Sequence, residues 1–284
     1  MLIVIAFCRH DAVAAASLLT WMKELDGQQE RHRLLLVAAA SMTMPQIRPV
    51  AKAAREAFFH SALACAARED ERPWPCASNT MFKCAAAHVK ERYKCPFWWH
   101  EPDCVPLKAG WLDMLEQEYL RAGKPFMGCI VEEPQRHLTG CAVYPADIAA
   151  YNPAILQADT IAWDCTVPEK TLPHTRHTTL FQHWWAEGKE PPSFLSVEKV
   201  RQTVRPEAAV LHRNKAHTLV KRLREIRKES EKEPAASPNP SLPSVYTYFE
   251  PIPGAPRPAA LLALWKELWS GQGWRPVVLE EAQA

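Results

Sequence analysis

At 284 residues the chain is long enough for one large α/β domain and an appendage, but short for two equal domains. Its 48% hydrophobic and 23% charged content is that of a globular protein and excludes disorder throughout. With 34 Lys+Arg against 32 Asp+Glu the net charge is only +2, so the composition advertises neither a nucleic-acid coat nor a membrane surface, and any polyanion site must be local.

The opening MLIVIAFCRHD lacks a basic region before its apolar run and reaches a polar turn after seven residues, so it reads as a buried first strand and not as a signal peptide. No stretch approaches the roughly 18 apolar residues of a membrane span. A soluble, cytoplasmic protein is expected. The nine cysteines are odd in number and contain no Cys-x-x-Cys pair, which favours reduced, packed thiols over a disulfide framework or zinc ribbon.

In chain order, Leu2–Phe7 reads as a strand, Ala12–Leu25 as a helix and Arg33–Ala39 as a second strand, the opening of a parallel sheet with both faces covered. The alanine-rich stretch Pro49–Ala67 predicts a helix, and Asn79–Tyr93 predicts another. The apolar Pro96–Trp99 follows, and then His100-Glu101-Pro102-Asp103. An apolar strand ending in carboxylates delivers them to the carboxyl edge of the sheet, where open α/β sheets bind ligands. Trp111–Ala122 reads as an amphipathic helix, Pro125–Ile130 and His137–Tyr144 as strands, and Glu207–Leu211 as a late strand ending at His212. A basic helix is expected over Lys215–Glu231. Residues 233–244 are Pro/Ser-rich and read as an extended linker. Beyond it, 245–284 repeats the strand, helix, strand pattern as a small βαβ unit. That unit is too small to be stable alone, so it either docks on residues 1–232 or opens a longer domain.

The segment Phe97–Gly128, FWWHEPDCVPLKAGWLDMLEQEYLRAGKPFMG, resembles the metal-binding region of GT-A glycosyltransferases, particularly a group carried by bacteriophages. The resemblance implies a Rossmann-like nucleotide-sugar-binding α/β domain with a mostly parallel central sheet. In that family an Asp-any-Asp motif binds manganese or magnesium at the sheet edge, and here Glu101-Pro102-Asp103 stands in its place, one methylene longer at its first carboxylate. The chemistry requires such a pair: a nucleoside diphosphate leaves readily only when its developing charge is neutralised, which a hard cation on oxygen ligands accomplishes.

Several further assignments follow from the resemblance. His212 is implied as the third ligand of the cation, with His217 as its competitor, and Lys215 as a diphosphate contact. Phe7, Arg9 and Asp11 are expected to line the nucleotide pocket, with Asn79 and Lys83 approaching from the other side. Gly140, in HLTGCAVYPAD, would allow close approach of the donor sugar. Asp164 is the candidate base that accepts the acceptor hydroxyl's proton, its competing reading being a helix N-cap. His174, His177 and His183 lack a metalloprotease signature and read as an acceptor-side loop and helix.

The expected activity is transfer of a sugar from a UDP-sugar donor to a hydroxyl. The phage resemblance suggests a 5-hydroxymethylpyrimidine in DNA as acceptor, with Lys215, Lys221, Arg222, Arg224, Arg227 and Lys228 tracking phosphates and Trp184 and Trp185 stacking on an extruded base. A surface glycan is the rival acceptor, and a salt-bridged helix explains the same basic run without DNA. A nucleotidyltransferase would need a Gly-rich loop where the chain has CRHDAVAAA, and a non-catalytic glycan-binding module would not need both carboxylates together with His212.

Overall fold

The computed structural model describes residues 1–66, 72, 74–183, 196–212, 218–232, 244–248, 258–271 and 275–279. The chain divides into two compact units, Met1–Arg227 and Lys228–Ala284.

The first unit opens with β1 (Leu2–Phe7), α1 (Ala12–Asp26) and β2 (Gln29–Ala38). In β1, Ile3, Ile5 and Phe7 pack into one core and Leu2 and Val4 into another on the opposite face. Alternation of side chains along a strand makes this possible only if both faces are apolar, which is why LIVIAF shows no polar period. Gly27 takes φ 71° where α1 turns back towards β2, a left-handed conformation suited to glycine. Then come α2 (Met44–Ala57) and β3 (Phe58–Cys65). The expected helix over Pro49–Ala67 is therefore corrected: it stops at Ala57. Alanine content favours a helix locally, yet β3 pairs parallel with β2 from His60 to Cys65 against Arg33 to Ala38, and that ladder satisfies backbone groups β2 would otherwise leave open.

The chain continues through α3 (Cys76–His88), β4 (Phe97–His100), the two-residue β5 (Val105–Pro106), α4 (Trp111–Ala122), β6 (Phe126–Val131) and β7 (His137–Tyr144). After these follow α5 (Pro168–Thr171), β8 (Thr175–His177), β9 (Phe181–His183), α6 (Val197–Thr203), β10 (Val210–His212) and α7 (Thr218–Lys232). The main sheet has seven strands in the order β3-β2-β1-β4-β7-β6-β8. All adjacent pairs are parallel except β4 with β7 and β7 with β6. A second sheet, β5-β10-β9, has three strands.

This topology positions the chemistry. β1 and β4 are parallel neighbours in the register Ile5↔His100, so the turns after both leave the same edge of the sheet. Antiparallel β7 runs back beside β4 and carries His137–Cys141 past its end. β10 pairs with β5, the strand directly after the acidic turn, and so brings His212 to it.

In the second unit, β11 (Ser244–Tyr248), α8 (Pro258–Gly271) and β12 (Arg275–Leu279) form a βαβ unit with parallel strands. Among the described residues no helix is long and apolar enough to cross a membrane.

Candidate active site

The acidic turn is built on a buried histidine. His100, fully buried at the end of β4, accepts a hydrogen bond at Nδ1 from Trp98 Nε1 at 2.7 Å and donates from Nε2 to the Cys104 carbonyl at 2.7 Å. A carbonyl can only accept, so the ring is the neutral Nε2–H tautomer. Burial is the main cause that holds its pKa down, at about 3. The bond to Cys104 and the Cys104 N–H to Glu101 carbonyl bond, 2.9 Å, close the loop that presents Glu101 and Asp103.

His212 arrives from β10 between these carboxylates. Its Nε2 lies 2.9 Å from Glu101 Oε2 and 3.2 Å from Asp103 Oδ1. Each distance is close to the roughly 3.0 Å between neighbouring ligands of an octahedral cation with bonds of about 2.1 Å, and ligand atoms of Glu101, Cys141 and His212 lie within 4.8 Å of one another. Two carboxylate oxygens and an imidazole nitrogen fit Mn²⁺ or Mg²⁺ by donor type as well. Burial opposes a charged imidazole, but Cys141, Asp103 and Glu101 outweigh it and hold the His212 pKa well above its ordinary value. In this arrangement the imidazolium supplies the positive charge that the carboxylates require. A cation taking its place would displace a proton.

A cavity of about 440 Å³ opens beside this cluster. Glu101, His212, Gly140, His137, Asp164 and Cys165 line it, with Trp163 and the exposed Trp74 among the remaining lining residues. A Cβ on Gly140 would lie 3.0 Å from Trp163 Cζ2, 3.3 Å from Asp164 Oδ2 and 3.4 Å from Glu101 Oε1. Only glycine leaves that approach open, and the two carboxylates converge above it. Burial raises the Asp164 pKa; His137 pulls it down and Glu101 adds to the rise. Cys165 is pushed up to about 12 by burial and by Asp164.

Other expected residues stand elsewhere. Asn79 is fully buried, and its Nδ2 donates to the carbonyls of Asp159 at 2.7 Å and Ile161 at 2.8 Å while Oδ1 accepts from Trp163 N at 3.0 Å. The expectation that it reads a base edge is corrected: its amide is spent on holding the loop that carries Asp164. Lys83 Nζ donates to the Ala158 carbonyl at 2.9 Å, a second tie on the same loop. Phe7 is a core residue. Arg9 and Asp11 are exposed in the turn after β1, where Arg9 Nε donates to His10 Nε2 and Asp11 accepts the Cys8 thiol proton. None of these five lines the cavity. Lys215, His217, Trp184 and Trp185 lie outside the described residues. His183, read as an acceptor-side residue, lines the cavity with its ring 4.8 Å from that of His212, whereas His174 and His177 do not line it. The sequence reading missed His137 as an individual; its only signal was a polar residue opening an otherwise apolar strand.

A mostly parallel sheet with an acidic turn at its carboxyl edge is the architecture of GT-A glycosyltransferases, and the comparisons bear this out. An active-site mutant of LgtC superposes over 81% of this chain and 96% of its own, with a TM-score of 0.52 at 11% identity. Galactosyltransferase LgtC in complex with donor and acceptor sugar analogues covers 83% of this chain and 98% of its own, with a TM-score of 0.51 at 10% identity. Mouse xyloside xylosyltransferase 1 gives 0.46 at 12% identity, over 75% and 96%. At these identities the likeness to the two LgtC structures shows the fold alone. No protein-family model and no curated protein sequence matches this chain.

Proposed function

We propose that this protein is a metal-dependent glycosyltransferase that moves a sugar from a UDP-sugar to an acceptor hydroxyl. The observation that carries the reading is the spacing of Glu101 Oε2 and Asp103 Oδ1 around His212 Nε2, 2.9 and 3.2 Å, at the mouth of a cavity on the carboxyl edge of a GT-A sheet. LgtC, which shares this fold, is a galactosyltransferase that takes donor and acceptor sugar analogues.

Glu101, Asp103 and His212 hold Mn²⁺ or Mg²⁺, which when bound neutralises the diphosphate leaving group. The sugar then lies in the cavity that Gly140 lines, beside the acidic turn and Asp164. Asp164 accepts the proton of the attacking hydroxyl; its burial makes the carboxylate more basic than one in water. Arg9 and Asp11, exposed in the turn after β1, and Lys215 are proposed as nucleotide and diphosphate contacts on the family resemblance alone. Trp74, exposed among the residues that line the cavity, offers a stacking face to the acceptor.

The catalytic unit is assigned to residues 1–232, with 233–244 as linker and 245–284 as an appendage outside the donor site. A sugar hydroxyl is the favoured acceptor. The hydroxymethylpyrimidine alternative draws less support from α7, since Arg222 pairs with Glu225 and Arg224 with Glu24, leaving fewer cations for phosphates. Incubation with a panel of UDP-sugars and Mn²⁺, scoring UDP release with oligosaccharide and with hydroxymethylcytosine DNA, tests both halves. Release that requires Mn²⁺ and a glycan supports the reading, and failure of every donor in the panel would sink it.

A further inference from the structure

The cavity carries a second set of ligand atoms. His137, Asp164 and Cys165 each offer one, and all three lie within 4.8 Å of one another. All three line the cavity. His137 Nε2 is 4.0 Å from Asp164 Oδ2. Nitrogen and oxygen ligands of a tetrahedral zinc ion with bonds of about 2.0–2.1 Å lie about 3.3–3.4 Å apart, so a closing of roughly 0.6–0.7 Å brings the pair onto one ion.

The supporting contacts point the same way. His137 Nδ1 faces the Gln135 carbonyl at 2.6 Å. That oxygen can only accept, so Nδ1 carries a proton and Nε2 is the ring nitrogen left facing Asp164. A backbone carbonyl on the far nitrogen is the usual support of a metal-binding imidazole. Gln135 also donates from its side-chain Nε2 to the Cys165 carbonyl at 2.7 Å. One residue thus grips both the histidine and the cysteine. The Ala162 carbonyl accepts from Cys165 N at 2.9 Å and from Thr166 Oγ1 at 3.0 Å, so the short turn bearing Asp164 and Cys165 is tied as well.

We infer that His137, Asp164 and Cys165 form a second cation site, selective for a thiophilic divalent ion such as Zn²⁺ and separate from the Glu101/Asp103/His212 cluster. The second site's nitrogen, oxygen and sulfur donors suit zinc, and because Cys141 stands beside Glu101 and His212 the two clusters are told apart by which cysteine ligates. On binding, His137 Nε2 and the Asp164 carboxylate donate lone pairs, the Cys165 thiol releases its proton to solvent, and the fourth position faces the cavity. No redox change is involved. The consequence for activity rests on the function proposed above. An ion on Asp164 removes the carboxylate that accepts the acceptor's proton, so Zn²⁺ inhibits transfer even when Mn²⁺ saturates the first cluster.

The test is optical and needs no sugar. Titrating the full chain with Co²⁺ in the presence of excess Mg²⁺ reports thiolate ligation through its ligand-to-metal charge-transfer band. The expected result is one band that disappears in Cys165→Ser, persists in Cys141→Ser, and in His137→Gln needs at least about tenfold more metal. Cys141 is the essential control, because its thiol lies within 4.8 Å of ligand atoms of Glu101 and His212. A band that survives Cys165→Ser, or that vanishes in Cys141→Ser, overturns the assignment, as does absence of any band in the unmodified chain. If Cys165→Ser does not fold, the His137→Gln titration decides in the same way. Should the band behave as expected while no UDP-sugar is turned over, the site stands and the proposed transferase activity falls.

Discussion

Lowering the pH should unfold this protein partly through His100, and the size of the effect follows from its surroundings. The ring is fully buried and neutral, accepts from Trp98 and donates to Cys104, and has its pKa held from 6.5 down to about 3, mainly by burial. At about 1.36 kcal/mol per pH unit, protonating it in the folded chain costs roughly 5 kcal/mol more than in the unfolded chain. The sign follows from linkage: below pH 6.5 the unfolded chain takes a proton that the folded chain refuses, so stability falls with pH from about 6.5 to about 3 and then levels off. Substituting His100→Gln removes that proton site whatever it does to baseline stability. The assay is urea denaturation at a series of pH values. Between pH 6 and pH 4 the stability of the unmodified protein should fall more steeply than that of the variant, by about 1.4 kcal/mol per pH unit. Equal slopes would refute the buried, neutral His100. The variant should also bind Mn²⁺ at least about tenfold more weakly, since the His100–Cys104 bond closes the turn that presents Glu101 and Asp103.

Three further outcomes are expected. Asn79→Ala strands the carbonyls of Asp159 and Ile161 and the Trp163 N–H, so chemical denaturation should register a loss of about 2–5 kcal/mol; a loss under 1 kcal/mol would mean the loop does not depend on it. Gly140→Ala presses on Trp163 at 3.0 Å and on the Asp164 and Glu101 carboxylates, so turnover should drop at least about tenfold with the melting temperature little changed, and normal turnover would show that the cavity floor is not where the sugar lies. With Asp164 as base, its raised pKa makes transfer fall as pH drops through a value above the ordinary carboxylate range. Because His137 pulls that pKa down, His137→Gln should move the acid limb to higher pH, and an unmoved limb assigns the base elsewhere.

Elements whose local pattern and tertiary role agree were legible from residue order alone. Leu2–Phe7, Trp111–Ala122 and His137–Tyr144 are observed at the expected bounds, because a wholly apolar run or a clean helical period has one burial solution. Phe58–Cys65 was not legible. Its alanines favour a helix, and only the open edge of β2, a non-local feature, makes it a strand. The same limit governs the site. Glu101 and Asp103 became candidates by following an apolar strand, and His212 by ending another. Asn79 is polar in a helix, a pattern that looks the same whether its amide faces a ligand or, as here, a buried loop 80 residues on. His137 matters only because chain crossing places it opposite Asp164, 27 residues later, which no local spacing encodes.

The central claim is that Glu101, Asp103 and His212 form one cation site on which donor binding depends. Calorimetric titration of UDP into the protein with Mn²⁺ and with chelator tests it directly. UDP should bind tightly only with Mn²⁺, with proton release to the buffer as His212 gives up its charge, and Asp103→Asn should abolish the metal dependence. Binding of UDP with equal affinity in chelator, or Mn²⁺-dependent binding that survives Asp103→Asn unchanged, would contradict it.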